Sequence, residues 1–279
     1  MSTAAANRAH RTVGPGLAFH RVLNSEWIKF RTLRSTLILL AGTVLVMVGL
    51  SALSGWGIGQ ALRDAAVNPR AGAALSQPDL LTSIPTSGVG LAQLIIGSLG
   101  VLTIASEFST GMIRSTFAAV PTRLPAFVAK AVVLTAVAYV VATASALLSY
   151  LVAKPILAQY SQTLSLDQAG VLQGILLSGV YVAAVALMGM ALGAITRNSA
   201  GGIMSLVGLF FVAPIALQII PGDVVKTLNK YSPSGAGSRL LQHTTLADQL
   251  EPWQGGLVLA AWTVALLAAA AALLKRRDV

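Results

Sequence analysis

Six long stretches without a charged side chain constrain the fold of this chain more than any other feature. Each of these six runs lies between two consecutive Lys, Arg, Asp or Glu residues and is at least 23 residues long. About 20 apolar residues are enough for one helix to cross the hydrocarbon core of a bilayer. The runs are 35–62, 80–106, 131–153, 168–196, 198–222 and 252–274. We therefore expect an all-α integral membrane protein with six transmembrane helices.

The composition agrees with this expectation, because 55% of the residues are apolar and only 10% are charged. Residues 1–16 lack the apolar core of a signal peptide and are expected to form a flexible basic tail. Residues 17–279 are expected to form a single transmembrane domain. The predicted helices are 36–57, 86–106, 130–152, 170–196, 199–220 and 253–274.

The charge distribution predicts the orientation of these helices. The chain has a net charge of +10. With the N-terminus in the cytoplasm, thirteen of the nineteen Lys and Arg residues, but only three of the nine acids, lie on the cytoplasmic side. This arrangement satisfies the positive-inside rule. We therefore expect both termini in the cytoplasm, and we expect the basic residues to contact membrane lipid and not nucleic acid.

The segment before the first transmembrane helix has an amphipathic pattern. Its apolar residues recur at spacings of three and four, which places them on one helix face. They are Phe19, Val22, Leu23, Trp27, Phe30, Leu33 and Leu37. Such a helix can lie in the cytoplasmic interface, although a simple helical run-in to the first span is an alternative. Glu26 falls within the apolar face, where it forms either a local ion pair with Lys29 or a contact with another cytoplasmic loop.

The inner loop "ASEFSTGMIRSTFAAVPTR" (105–123) is polar but lies between two apolar runs. We expect a break at Gly111, a short helix over 111–119 with Thr110 as its N-cap, and a stop at Pro121. The helix would expose apolar anchors around one arginine, namely Met112, Ile113, Arg114, Phe117 and Val120. A cytoplasmic partner can bind such a surface. The alternative is a basic turn that only obeys the positive-inside rule.

The sequence lacks the motifs of several catalytic classes. It has no cysteine, no H-E-x-x-H and no P-loop, and its three histidines lie outside the predicted spans. We therefore expect no catalytic residue, no metal site and no cofactor bound by this chain itself. The absence of Asp, Glu, Lys and Arg from the six runs also disfavours a carrier driven by an ion gradient.

Small and weakly polar residues form rows along three of the predicted helices. Close helix packing explains most such rows in membrane proteins. The alternative is that the second and fifth helices face a partner or a pathway, in which Gln93 and Gln218 provide the few polar contacts. The rows are Gly90, Gln93, Gly97 and Gly100; Gly189 and Gly193; and Gly201, Ser205 and Gly208.

The long loop 221–252 contains two possible short helices. They are "DVVKTLNKY" and "SRLLQHTTLADQL", and the run "SPSGAG" separates them. These helices would cap the outer end of the bundle, or the segment is a solvated loop.

Two stretches resemble the permease subunits of ABC transporters, specifically the six-span type 2 exporter family. "SEWIKFRTLRSTLILL" (25–40) is similar to the family's elbow helix, and "EFSTGMIRSTFAAVPTR" (107–123) is similar to its E-F-x-x-G-[TM]-[IL]-R…P-x-R loop. The six-span layout and the long loop before the last span also agree, over nearly the whole chain.

The resemblance implies a coupling helix at about 110–119 that docks on a separate ABC ATPase subunit, which binds ATP and Mg. Two permease chains and two ATPase subunits would form the working unit in a bacterial plasma membrane. Spans one, two and five would surround the path, and 221–252 would supply outer gating helices.

The candidate site residues form three groups. The ATPase-coupling interface comprises Glu107, Phe108, Gly111, Met112, Ile113, Arg114, Phe117, Pro121 and Arg123. The elbow helix contributes Glu26, Trp27, Lys29, Phe30 and Arg31. The candidates for the pathway or the permease–permease contact are Gln93, Gly97, Gly100, Ser205, Gly208 and Gln218.

Three functions follow from these patterns. The first is an exporter permease for an amphipathic or apolar cargo such as an antibiotic, a lipid or a small peptide. The second is a non-transporting membrane module of the same architecture, used in immunity, signalling or anchoring. The third is a gradient-driven secondary transporter.

Overall fold

The computed structural model describes residues 19–67, 75, 79–111, 124–244 and 249–276, and these residues contain helices and turns but no strand. A short 3₁₀ turn, Ile84–Thr86, precedes the third helix. The helices are α1 (Phe19–Thr32), α2 (Arg34–Val67), α3 (Val89–Ser109), α4 (Leu124–Ala158), α5 (Val171–Thr196), α6 (Ser199–Ile219), α7 (Asp223–Lys230), α8 (Pro233–Leu240) and α9 (Pro252–Arg276).

Six helices in the described part of the chain are long and apolar enough to cross a membrane, namely α2 to α6 and α9. This finding confirms the six predicted spans and indicates a multi-pass membrane protein. The main difference is in length, because α4 was expected at 130–152 and begins at Leu124 and ends at Ala158. Lys130 and Lys154 lie inside this helix, so a charged residue does not mark its ends.

The spans pack in two layers of three helices. One layer contains α2, α3 and α6, and the other contains α4, α5 and α9; the main contacts between the layers are α3 with α5 and α2 with α4. The most buried spans are α3 and α5. These two helices therefore form the core, and the other four present apolar side chains outward.

Glycine allows α3 and α5 to approach closely. A β-carbon at Gly100 would collide with the carbonyl oxygen of Ala186, and one at Gly189 would collide with the carbonyl oxygen of Gly97. Gly193 faces the backbone of Val101 in the same way. Helix packing thus explains the row on the fourth span and Gly97 and Gly100 of the row on the second span, whereas no described atom outside the helix lies within 4 Å of a β-carbon at Gly90.

The row on α6 has different surroundings. Ser205 is exposed, and no described atom outside the helix lies within 4 Å of the position of a β-carbon at Gly208. Gly208 also begins a π-helical turn, Gly208–Val212, inside α6. Packing within the described chain therefore does not account for this row.

The segment after α6 folds into two short helices, although the second is not where the sequence pattern placed it. The expected breaker "SPSGAG" forms most of α8, because the Ser232 hydroxyl accepts a hydrogen bond from the Gly235 amide and Pro233 occupies the first turn. Ser at the N-cap and Pro at the first helical position favour a helix start. Helix α8 is largely buried, whereas α7 has no buried residue. Only α8 therefore caps the bundle.

The end of α3 differs from the expected start of a short helix. Thr110 has helical dihedral angles, and its hydroxyl donates to the Ser106 carbonyl at 2.8 Å, so it ends α3 and does not have the extended backbone common at an N-cap. The chain then breaks at Gly111, whose φ is +72°. The expected coupling helix, at about 110–119, lies outside the described residues from residue 112 onward.

Candidate functional site

Four charged side chains meet beside the start of the loop that joins α3 to α4. Glu26 and Lys29 come from α1, Glu107 comes from the last turn of α3, and Lys130 comes from the second turn of α4. We call these four residues the charged cluster. Each lysine contacts both carboxylates, so the cluster is a closed ring of ion pairs.

The distances in the charged cluster are those of direct hydrogen-bonded pairs. Lys130 Nζ lies 2.6 Å from Glu26 Oε2 and 3.0 Å from Glu107 Oε1. Lys29 Nζ lies 3.0 Å from Glu26 Oε1 and 3.1 Å from Glu107 Oε1. The spacing of Glu26 and Lys29 puts both on one face of α1, which is the face that packs against α4.

Burial makes the charged cluster energetically important. The exposed fraction is 5% for Glu26, 3% for Glu107 and 8% for Lys130, whereas the Lys29 side chain is about one-third exposed. Two carboxylates balance two ammonium groups, so no net charge is buried. Removing one member of a buried ion pair leaves an uncompensated charge and destabilises a protein by roughly 3–5 kcal/mol.

The pKa values of the two α1 residues reflect their partners. Burial disfavours the ionised form of Glu26, but Lys130 and Lys29 outweigh burial and hold the pKa of Glu26 below its ordinary value. Burial also opposes the charge on Lys29, yet Glu26 and Glu107 raise its pKa above the ordinary value. Both groups are therefore charged near neutral pH.

Glu26 forms the local ion pair considered from the sequence, and its second partner lies on a helix and not on a cytoplasmic loop. Glu26 has the local ion pair with Lys29, and it also reaches Lys130 on α4. Phe30 is buried beside it, whereas Trp27 and Arg31 are exposed. Sequence reasoning missed Lys130, which it treated only as the edge of a span.

Of the other residues predicted for the ATPase-coupling interface, only Phe108 and Gly111 lie in the described part of the chain. The guanidinium of Arg197, in the turn between α5 and α6, lies 5.2 Å from the centre of the Phe108 ring. Gly111 is exposed at the break after α3. The other assigned residues lie outside the described part of the chain, namely Met112, Ile113, Arg114, Phe117, Pro121 and Arg123.

A cavity of about 380 Å³ adjoins the charged cluster between α1, α2, α3 and α4. All four cluster residues line it, together with Thr36 and other side chains of mixed polarity. One side of the charged cluster therefore faces this cavity.

A second polar region lies near the other end of α3. Gln93 and Glu107 are fourteen residues apart on this helix, which corresponds to about 21 Å. The buried Gln93 accepts a hydrogen bond from the hydroxyl of Tyr181 on α5. Gln93 and Gln218 line the same opening, which we call the polar cleft. The structure thus brings together the two glutamines singled out from the sequence, and it adds Tyr181.

No protein-family model matches this chain, and no curated protein matches it significantly.

Proposed function

We propose that this chain is the transmembrane permease subunit of an ATP-driven exporter, and that it works with a separate ABC ATPase. A partner would bind ATP and Mg, because the chain has no P-loop. The proposed assembly contains two ATPase subunits and two permease chains in a bacterial plasma membrane, with both termini of this chain in the cytoplasm.

The charged cluster is the observation that carries this proposal. It joins α1, the last turn of α3 and the second turn of α4, and the loop 110–123 connects the last two of these helices. A force applied to that loop would reach both spans through buried ion pairs. An amphipathic helix in the membrane interface would serve as the fixed point.

The resemblance of residues 107–123 to the family loop supplies the second support. In the proposed mechanism, closure of the ATPase pair displaces the coupling helix, and Glu107 and Lys130 transmit this displacement to α3 and α4. The bundle would then change between inward-open and outward-open states, because the partner binds one state better than the other.

We expect the double substitution Arg114→Ala and Phe117→Ala to abolish cargo-stimulated ATPase activity while membrane insertion stays normal. The reason is that these residues provide the charge and the apolar anchor of the proposed docking helix. The test is to isolate the ATPase that co-purifies from native membranes in mild detergent, express it with this chain, and measure ATP turnover in liposomes. The matched control is Lys226→Ala in the exposed helix α7.

Unchanged stimulation in the Arg114 and Phe117 variant would reject the assignment of the coupling interface. A chain with no cysteine also allows a direct test of orientation, since Arg114→Cys would be the only thiol. Labelling from the exterior, or transport of solute by the purified chain alone under an ion gradient, would contradict the proposed function.

A further inference from the structure

The layer that contains α4, α5 and α9 has a groove on its outer side. Helices α4 and α9 each pack on α5, but they do not pack extensively against each other. The space between them measures about 800 Å³, within the range of about 300–1,000 Å³ that is typical of ligand sites. Its walls are residues 124–139 of α4 and 264–271 of α9, with Leu187 of α5 between them. We call this space the lateral groove.

The lateral groove is apolar and open at the side of the bundle. None of its thirteen lining residues is Asp, Glu, Lys, Arg or His, and only Thr135 and Tyr139 carry a hydroxyl. The Thr135 hydroxyl donates to a backbone carbonyl of its own helix at 2.7 Å, so it needs no partner from a ligand. The lining residues Val128, Val132 and Val264 are exposed. In a membrane, this surface would contact hydrocarbon chains.

A lysine lies on the face of α9 that lines the groove. Lys275 follows the lining residues Ala271, Ala268 and Val264 by four, seven and eleven residues. These spacings return to the same face of a helix with 3.6 residues per turn. The neighbouring Arg276 is rotated by about 100° from Lys275 and therefore points away from the groove.

The distance along α9 from Lys275 to Val264 corresponds to one leaflet of a bilayer. Eleven helical residues rise by about 16.5 Å. Half of a hydrocarbon core about 30 Å thick is about 15 Å. The lateral groove therefore extends from the charged end of α9 to about the middle of the membrane, which is the depth that the acyl chains of one lipid monolayer reach.

The positive charge at the end of the groove is not used within the described chain. Lys275 and Arg276 are exposed, and neither has a hydrogen bond or an ion pair with another described residue. The last five residues, "KRRDV", contain three basic residues and one acid. A cation at the end of an apolar groove complements an anionic headgroup that is joined to apolar chains. A transmembrane helix of another protein would fill the groove without using this cation.

We propose that the lateral groove binds an anionic phospholipid, with its acyl chains between α4 and α9 and its headgroup at Lys275. Van der Waals contacts hold the chains, and the ion pair with Lys275 selects the headgroup. A long lysine side chain near the end of a span reaches the headgroup region, so this ion pair forms at the membrane surface. The inference does not rest on the proposed function, because lipid binding needs no ATPase.

The test measures lipid binding to the purified full chain by native mass spectrometry in mild detergent. Phosphatidylglycerol is titrated in one arm, and phosphatidylcholine with the same acyl chains is titrated in the other. We expect the first phosphatidylglycerol to bind roughly fivefold more tightly, which is the contribution of one basic residue near anionic lipid. Equal affinities for the two lipids would overturn the proposal.

The substitution Lys275→Gln should remove this preference, because it removes the cation on the groove face. Arg276→Gln is the matched control, since it removes the same charge one residue away and off that face. We expect a clearly smaller loss of phosphatidylglycerol affinity in the control. Both residues are exposed, and an unchanged unfolding temperature without added lipid checks that both variants fold. Equal losses would indicate general attraction to a basic helix end and would overturn the proposal.

A second pair of variants tests the position of the acyl chains. Ala268→Trp fills the lateral groove and should abolish the selective binding of phosphatidylglycerol. Ala269→Trp, at an exposed position of α9 outside the lining, should leave it intact. The proposal fails if Ala268→Trp binds phosphatidylglycerol as well as Ala269→Trp does. It also fails if Val264→Cys gives a disulfide-linked dimer in native membranes, because a second copy of the chain would then cover the groove.

Discussion

Lys130 is the residue on which the charged cluster depends most. It is buried, and it contacts the carboxylates of Glu26 and Glu107 at 2.6 and 3.0 Å. Without it, two buried carboxylates would share only Lys29, which is partly exposed. The stability of the charged cluster therefore depends on equal numbers of positive and negative charges more than on which position carries which charge.

We expect Glu26→Lys and Lys130→Glu to destabilise the protein separately, each by roughly 3–5 kcal/mol, because each breaks a buried ion pair and adds a like charge. The two substitutions together restore neutrality and should recover most of that loss. Thermal unfolding in detergent, followed by intrinsic fluorescence, measures the effect. Lys154→Glu provides the control, since Lys154 is an exposed lysine on the same helix. A double variant no more stable than the weaker single variant would contradict this account.

At the scale of the elements, the contact between α3 and α5 determines how the bundle packs. It is the most extensive contact between helices, and it depends on glycines where one backbone touches the other. Only a residue without a β-carbon fits at these points, because a neighbouring backbone cannot move aside as a flexible side chain can. Substitutions on the outer faces of α3 and α5 should therefore be tolerated, whereas substitutions of the glycines at the contact between the two helices should not.

We expect Gly100→Val to destabilise the bundle by about 3 kcal/mol or more, at the upper end of the effects of overpacking, since its methyl groups would meet the backbone of Ala186. Gly57→Val in α2 is the matched control. No described atom outside its helix lies within 4 Å of a β-carbon there, so the change should stay within about 1 kcal/mol. The measurement is the unfolding temperature of each variant in the same detergent. Equal effects of the two substitutions would show that the contact between α3 and α5 does not require glycine at position 100.

At the scale of the whole molecule, the layer of α2, α3 and α6 presents a surface that the described chain does not cover. Ser205 and the open space at Gly208 lie on α6, and Leu45 and Leu53 on α2 are exposed. We propose that a second permease chain covers this layer. The most common symmetry of such pairs is twofold, and it brings the same residue of both chains together near the axis.

For that arrangement, we expect Ser205→Cys to form a disulfide between two chains in oxidised membranes, giving a dimer on a non-reducing gel. The chain contains no other cysteine, so the dimer reports this position alone. The control is Val264→Cys, an exposed position on α9 in the other layer. Cross-linking at Val264 but not at Ser205 would place the contact between chains on the opposite face.

The sequence predicted the spans well and the sites less well, for a physical reason. An uncharged run can be read from neighbouring residues alone, and it therefore predicts a span accurately. For example, α5 was expected at 170–196 and is Val171–Thr196. The charged cluster joins Glu26 to Lys130, 104 residues away, and only the packing of α1 on α4 reveals that pairing. The polar cleft depends in the same way on α8, which was misplaced because "SPSGAG" contains both breaker residues and a helix-start signal.

The closed ring of ion pairs has an electrical consequence. Two carboxylates and two ammonium groups sum to zero, so the ring as a rigid unit carries no gating charge. A membrane potential does work of about 2.3 kcal/mol on each elementary charge moved through 100 mV, and on a neutral unit it does none. Translation of the four charged groups would consequently contribute nothing to a response of the protein to voltage, whichever direction the cell's potential favours.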